Sequence, residues 1–300
     1  MPDIKIESLY NELKPKLETL ETERLTVLKK IATLVKVIIL ICLFLAIPVV
    51  YFTEAMWVVA IGIAGVVAYL IGRVKLQKKY RMDYKANILE VMVSTLGTNY
   101  SYDPNGKIDK ELMQTSKLFK KFNKIDCEDL IEGKFEKYSF RQAEISLDYH
   151  IEGTNQGGST KNIFRGLFFV GTLPISFPAN IWVYPKVQVD KSAHDKVQVV
   201  ETNNKNFSDV FIAYSDVDQP TASLLPTSML DNMVDIYQKF QGERMKFAFI
   251  ENNVIVAIHS DKDLFEPSMK IPVTDFETFK ADFRYLKLTT SLVNQLLESN

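Results

Sequence analysis

Cysteine is almost missing from this sequence. The 300 residues hold two, Cys42 inside an apolar run and Cys127 in a polar stretch. That pair builds neither a disulfide framework nor a Cys-based zinc site, and a reducing compartment is the simpler setting. Histidine is equally sparse. His150, His194 and His259 are distant from one another, and none has a second His or Cys at metal-ligand spacing. Nor does either charge dominate, with 36 basic against 37 acidic residues and a net charge of -1. A dedicated nucleic-acid binder needs surplus Lys and Arg to displace counterions from phosphates, so that class is set aside. The nucleophile elbow G-x-S-x-G and the zinc-protease pattern HExxH are absent as well. The sequence therefore assigns no catalytic, cofactor-binding or metal-binding residue, and it leans away from an enzyme.

What the chain has in quantity is hydrophobic sequence, 47% of it, unevenly spread. Two apolar stretches, about 36–52 and 55–71, flank "FTE" with its single acid, Glu54. At about 1.5 Å rise per residue each reaches roughly 25 Å, near the short end for a hydrocarbon core about 30 Å thick. One helix of the combined length would overshoot the bilayer and leave a carboxylate at its middle, at a cost of several kcal/mol. Two spans joined by a tight turn fit better, with Tyr51, Phe52 and Trp57 as an interfacial aromatic belt. Pro48 is expected to kink the first span or begin its exit, and Gly62 and Gly65 to let the second helix approach the first. A core hairpin of a soluble protein fits poorly, because helices of this length are seldom apolar all round. A signal peptide fits worse, since about thirty residues of charged sequence precede the first run. Lys29, Lys30 and Lys36 lie before the hairpin, and Arg73, Lys75, Lys78, Lys79 and Arg81 after it. By the positive-inside rule both termini face the cytoplasm and Glu54 faces out.

Around this hairpin (31–72) the remaining segments follow by periodicity. Residues 1–30 form an amphipathic helix with Leu13, Leu17, Leu20, Val27 and Ile31 on one stripe, Arg24 at the missing position and Pro15 limiting its start. Two readings of the stripe stand: packing on the membrane or the soluble domain, and self-association into a homo-oligomer. A juxtamembrane helix, 73–98, carries the chain away from the bilayer and stops at Gly97. An α+β domain, 99–300, follows. It opens with a turn at "YSYDPNGKID" and a helix capped by Asp109 and running through Phe122. From Glu132 the pattern turns strand-like in "KYSFRQAEISLDYHI", "NIFRGLFFVGTL", "NIWVYPKVQV" and "DKVQVVE", which predicts a mainly antiparallel sheet. A helical stretch restarts at Pro226 with Thr227 or Ser228 as cap. "RMKFAFIENNVIVAIHS" is a hairpin whose Asn residues supply the positive φ of the turn. A helix from Asp275 to Glu298, with Phe276, Phe279, Phe283, Leu286, Val293 and Leu297 on one face, closes over the sheet.

Three stretches imitate chemistry. "GTNQGGSTK" (153–161) has glycines at P-loop spacing, but Ser159 and Thr160 precede Lys161 and a strand follows, so a hairpin loop is expected. "DPNG" at Asp103 places its glycine at position four of a calcium loop that needs it at six. Asp216 and Asp218 stand two apart before a helix, and capping accounts for one of them more cheaply than acid/base work does.

The two adjacent spans, "GKFEKYSFRQAEISLDY", "IFRGLFFV" and the stretch from "FSDVFIAYSDVDQP" to "HSDKDLFEP" together resemble a bacterial membrane family designated domain of unknown function 3137. Its Phe-x-Gly-Leu-Phe-Phe segment matches Phe164, Gly166, Leu167, Phe168 and Phe169. Its acidic turn and following motif match Asp218, Ala222, Leu225 (one place off), Pro226 or Thr227, Met229 and Leu230. These motifs are mainly apolar and read as packing. The resemblance implies a membrane partner, because members are often encoded near LemA-like membrane proteins; it brings no activity. The expected function is a cytoplasm-facing interaction or assembly module at the bacterial inner membrane, in contact with the lipid bilayer. The alternative is a lipid or small-ligand binder of pleckstrin-homology-like type, and a third reading is a hydrolase or transferase using Asp216 or Asp218.

Overall fold

The computed structural model describes residues 2–52, 56–152, 158–186, 197–218, 224–240 and 244–297. The chain divides into two compact units, one of Met1–Val91 with Glu266–Phe283, the other of Met92–Phe265 with Arg284–Asn300. Segment 266–283, grouped by sequence with the C-terminal domain, thus belongs with the N-terminal helices.

In the first unit, α1 runs unbroken from Pro2 to Phe52 and α2 from Met56 to Tyr84. The helix runs through Pro15, which was expected to limit its start, and continues past Pro48, expected to kink it or begin its exit, to Phe52. An interior proline costs a helix about 3 kcal/mol. Around Pro15 the burial of Ile6, Leu9, Leu13, Leu17 and Leu20 supplies the compensation. Beyond Tyr84 the helix widens into one π-type turn, Lys85–Leu89, before α3 (Glu90–Ser94). Both α1 and α2 are long and apolar enough to cross a membrane, and their apolar windows are not buried by the rest of the chain. Phe44 is 78% exposed and Leu40 66%, which suits lipid and not water as the surroundings, so the structure suggests membrane association. Gly65 and Gly72 set the approach of the two helices. A Cβ on Gly65 would sit 2.7 Å from Cys42 Sγ, and one on Gly72 would sit 2.6 Å from Leu34 Cδ2. Gly62, expected at the contact, has nothing within 4 Å. The turn with Glu54 lies outside the described residues.

Segment 266–283 straps onto these helices by polar contacts. Tyr10 Oη donates to the Thr274 carbonyl at 2.6 Å, and the Tyr10 ring meets Phe276 and Phe279 edge-on. Arg24, buried at the gap in the stripe, is clamped by Glu21 and donates to the Met269 carbonyl at 2.8 Å, while Val273 N–H donates to Glu21. The stripe of α1 is therefore taken up by its own chain.

The second unit is one nine-stranded sheet in the order β1-β2-β3-β4-β9-β8-β5-β7-β6, antiparallel throughout. Its strands are β1 (Tyr100–Asp103), β2 (Lys124–Lys134), β3 (Ser139–Ile151), β4 (Ser159–Thr172), β5 (Ile181–Pro185), β6 (Gln198–Val200), β7 (Phe211–Ser215), β8 (Met245–Ile250) and β9 (Asn253–His259). Together with the helices before it and the C-terminal helix, this is the α+β class expected. Strands β1, β2 and β7 were not foreseen. "KIDCEDLIEGK" carries too many charges to show an apolar alternation, yet it pairs with β3 along its length. One face of the sheet buries Ala143, Ile145, Leu147, Phe168, Trp182 and Ile255 beneath α4 (Lys110–Thr115) and the segment after it. Trp182 Nε1 donates to the Ser116 carbonyl there at 2.9 Å. The expected helix through Phe122 shrinks to these six residues, and Asp109 makes no capping bond but pairs with Arg141. On the opposite face Phe211 meets Phe207 of α5 (Lys205–Val210) and Tyr237 of α6 (Thr227–Lys239). Pro226, not Thr227 or Ser228, is the N-cap of α6. Helix α7 (Phe276–Leu292) ends in a π-type turn, Val293–Leu297, whose Leu297 lies where a Cβ on Gly171 of β4 would reach it at 2.5 Å. In the β8–β9 hairpin it is Glu251, not an Asn, that takes the positive φ, at 54°.

Candidate functional site

Four alternate residues of β3, Phe140, Gln142, Glu144 and Ser146, share one face of the sheet. With Ala143, Ile145 and Leu147 on the core face, this face should be wet in a half-buried strand, yet its middle pair is buried. Gln142 is 1% exposed and Glu144 5%. Opposite Glu144 on β2 stands Glu128, and between Glu128 and Ile131 the register slips in a bulge. The bulge contains Asp129, 1% exposed, with φ 57°. Its N–H donates to the Pro104 carbonyl at 3.3 Å, and its carboxylate accepts the Tyr102 hydroxyl.

The loop after β9 lies over Glu144. Leu264 N–H donates to Glu144 Oε1 at 3.1 Å, Ser260 N–H donates to the Arg165 carbonyl at 3.0 Å, and Arg165 forms an ion pair with Asp263. The loop closes through Phe265 at φ 59°, a strained conformation for a bulky side chain. The remaining polar atoms find no partner: Glu144 Oε2, both Gln142 amide atoms and Arg165 Nε are buried without a hydrogen bond. Burial pushes the Glu144 carboxyl up to about 8, against the Leu264 N–H that lowers it, with Asp129 and Glu128 raising it further. At neutral pH Glu144 is therefore mostly protonated. Sequence inspection passed over this cluster, although amide and acid two residues apart inside a run of β-formers was the available signal.

The residues weighed from sequence lie elsewhere and do not converge. His150, exposed at the end of β3, contacts Thr160 across to β4 at 2.9 Å. His259 ends β9 and pairs with Asp261 at 2.8 Å, and His194 lies outside the described residues. Asp216 accepts both the N–H and the side-chain amide of Asn180, fixing the start of β5, and Asp218 is exposed nine residues before α6 begins. Asp216 caps no helix among the described residues, and the helix start near Pro220 expected after Asp218 lies outside them. "DPNG" forms a turn after β1 in which Asp103 accepts Asn105 N–H. "GTNQGGSTK" joins β3 to β4, with Ile151 opposite Ser159, while 153–157 lie outside the described residues. A polar cleft of about 380 Å³ lies at Thr202–Asn206, Thr227 and Asp231. Its groups pair with one another, Asn204 accepting Phe207 N–H and donating to Asp231. Gly166 of the apolar motif has a strictly local cause, because at φ 140° a Cβ there would lie 2.0 Å from the Ile258 carbonyl oxygen.

In the first unit a second polar group gathers at the π-type turn. Glu266 bridges Lys85 at 3.0 Å and Arg81 at 3.1 Å, and Tyr84 Oη donates to Asp282 at 2.6 Å. Burial pushes Asp282 up to about 6, with Glu266 adding to the rise. These contacts fasten the strap.

Among characterised proteins compared by sequence, none matches this chain. One solved structure, the mycobacterial trehalose monomycolate transport factor A, TtfA, aligns with 8% identity and a TM-score of 0.32, over 67% of this chain and 92% of that one. Residues 162–297, from β4 through the C-terminal π-type turn, match the model of the family described as protein of unknown function (DUF3137).

Proposed function

We propose that the protein is an interaction or assembly module held at the bacterial inner membrane, with its sheet domain in the cytoplasm. The observation that carries this reading is how the anchor is built. The unit holding both apolar helices also contains Glu266–Phe283, so the chain passes between anchor and sheet unit three times. A tethered enzyme needs one linker, whereas three connections suit a domain presented to a partner in the same membrane. The stripe of α1 is buried, which leaves the sheet as the contact surface. Its outer strands β1 and β6 each pair on one side only among the described residues, and such edges accept an added strand. The flanking Lys and Arg favour cytoplasmic termini. A LemA-like membrane protein or a second copy of the chain would be the partner.

The test is in-cell crosslinking of the full-length protein in its native membrane, with the trapped species identified by mass spectrometry. A reproducible membrane-protein partner supports the module; recovery of lipid alone refutes it. A second reading, lipid binding, is favoured by the exposure of Lys75, Lys78 and Lys79 just beyond the apolar part of α2. Liposome binding unchanged by charge reversal at these three positions would remove it.

A further inference from the structure

Between α1 and α2 lies a groove of about 530 Å³, lined among the described residues by these two helices alone. The helices touch where Gly65 meets Cys42 and where Gly72 meets Leu34, whereas Gly62, which lines the groove, would carry a Cβ with nothing within 4 Å. Along either helix the lining, from Val35 to Ala46 and from Val58 to Tyr69, extends about 16 Å. One leaflet is about as deep, at roughly 15 Å, half of a hydrocarbon core about 30 Å thick. Basic side chains stand at one end. Lys36 lies three residues before Ile39 and seven before Leu43, and Arg73 lies four after Tyr69 and seven after Val66, so each continues a lining face of its own helix. Both are exposed, and among the described residues neither is engaged in an ion pair.

We propose that this groove holds one acyl chain of an anionic phospholipid, with the headgroup phosphate at Lys36 and Arg73. An unfilled groove forfeits the dispersion contacts of its walls, so an occupant is favoured. Hydrophobicity does not choose the occupant, because bilayer tails are as apolar as the lining; shape and charge do. A neighbouring helix approaches a glycine closely only across a surface of small residues, and here Ile39, Leu43 and Val66 line the groove with Gly62. A methylene chain carries no side chains and fits between such branches. At the basic end the two cations match a negatively charged headgroup. The site differs from the surface collar of Lys75, Lys78 and Lys79 in taking the tail as well as the headgroup, and so holds one lipid per chain. This inference rests on the membrane association drawn from the exposed apolar helices and does not depend on the assembly role.

The experiment is native mass spectrometry of the full-length protein in non-ionic detergent, delipidated and then titrated with phosphatidylglycerol or with phosphatidylcholine carrying identical chains. The expected result is one phosphatidylglycerol per chain, held roughly tenfold or more tighter than phosphatidylcholine. Gly62→Leu fills the groove with apolar volume and is expected to weaken binding of both lipids by roughly tenfold or more, whereas Val59→Leu, exposed outside the lining, leaves it unchanged. Lys36→Gln combined with Arg73→Gln is expected to abolish the preference for phosphatidylglycerol while phosphatidylcholine binds as before. Attraction to the surface collar would answer to charge and not to Gly62→Leu, which separates the two modes. Circular dichroism of each variant establishes that it is folded. Absence of a one-to-one lipid complex, unchanged binding in folded Gly62→Leu, or an unchanged headgroup preference in the double variant each overturns the proposal. A dimer that Gly62→Leu dissociates overturns it too, and makes a second copy of the chain the occupant.

Discussion

Replacing Glu144 by Gln should make the sheet unit more stable, and the gain should grow with pH. In the unfolded chain this carboxyl titrates near 4.5, and in the fold it titrates at about 8. The native state thus holds a proton that the unfolded state has lost. Stability from this group is complete below pH 4.5 and falls as pH rises, by about 1.4 kcal/mol per unit until the folded value is reached. Across the whole window the loss is on the order of 4–5 kcal/mol, a large fraction of the 5–15 kcal/mol that holds a domain together. Gln presents the same outline without the charge, so the variant should lack this slope. The assay is urea denaturation in detergent at pH 6.5, 7.5 and 8.5, read by fluorescence of Trp182, which is 1% exposed and within the same unit. A Trp57→Phe background removes the other indole. Asp282 titrates at about 6 and contributes little above pH 6.5, so the window isolates Glu144. Parallel pH slopes for the two proteins, or a variant weaker than the parent at pH 8.5, would refute the reasoning.

Four further outcomes follow from the geometry. Gly166→Ala should cost about 2–4 kcal/mol in the same denaturation assay, because the positive φ and the Ile258 carbonyl both oppose a Cβ. Glu266→Ala should remove the 3.0 Å ion pair of Lys85, which is 2% exposed, and destabilise by up to about 3–5 kcal/mol. Faster hydrogen exchange confined to 266–283 would register it, and adding Lys85→Met should recover most of the loss. Asp282→Asn should strengthen the strap at pH 7. The folded pKa of Asp282 is raised from 3.8 to about 6, so the native form pays about 2–3 kcal/mol once pH passes 6; exchange in 266–283 that is no slower than in the parent would count against this. Gly65→Cys should crosslink to Cys42 under mild oxidation, since the added Cβ lies 2.7 Å from Cys42 Sγ. Persistent free thiols in the folded variant would show that the two helices do not meet there.

Much of this protein could be read from one dimension. Two long runs without charge dictate two helices that water will not cover, and charge-free length is a property of consecutive residues. The β3–β4 and β8–β9 hairpins are equally local, since alternating runs around "GTNQGGS" and "ENN" leave an adjacent strand as the nearest partner for their backbone groups. The 3.6-residue stripe of "FETFKADFRYL" fixed the last helix in the same way.

What escaped the sequence depends on partners far along the chain. Strand β2 is highly charged and is a strand because β3 offers it hydrogen bonds; its own alternation does not announce it. The stripe of α1 reads equally well as a surface for another molecule or for its own chain, and Thr274, Met269 and Val273, some 245 to 264 residues away, decide for the latter. Glu144 and Gln142 read as ordinary polar residues of a strand with one wet face. Only tertiary packing takes them out of water, the loop at Leu264 closing over Glu144, and that removal of solvent is what raises the Glu144 carboxyl.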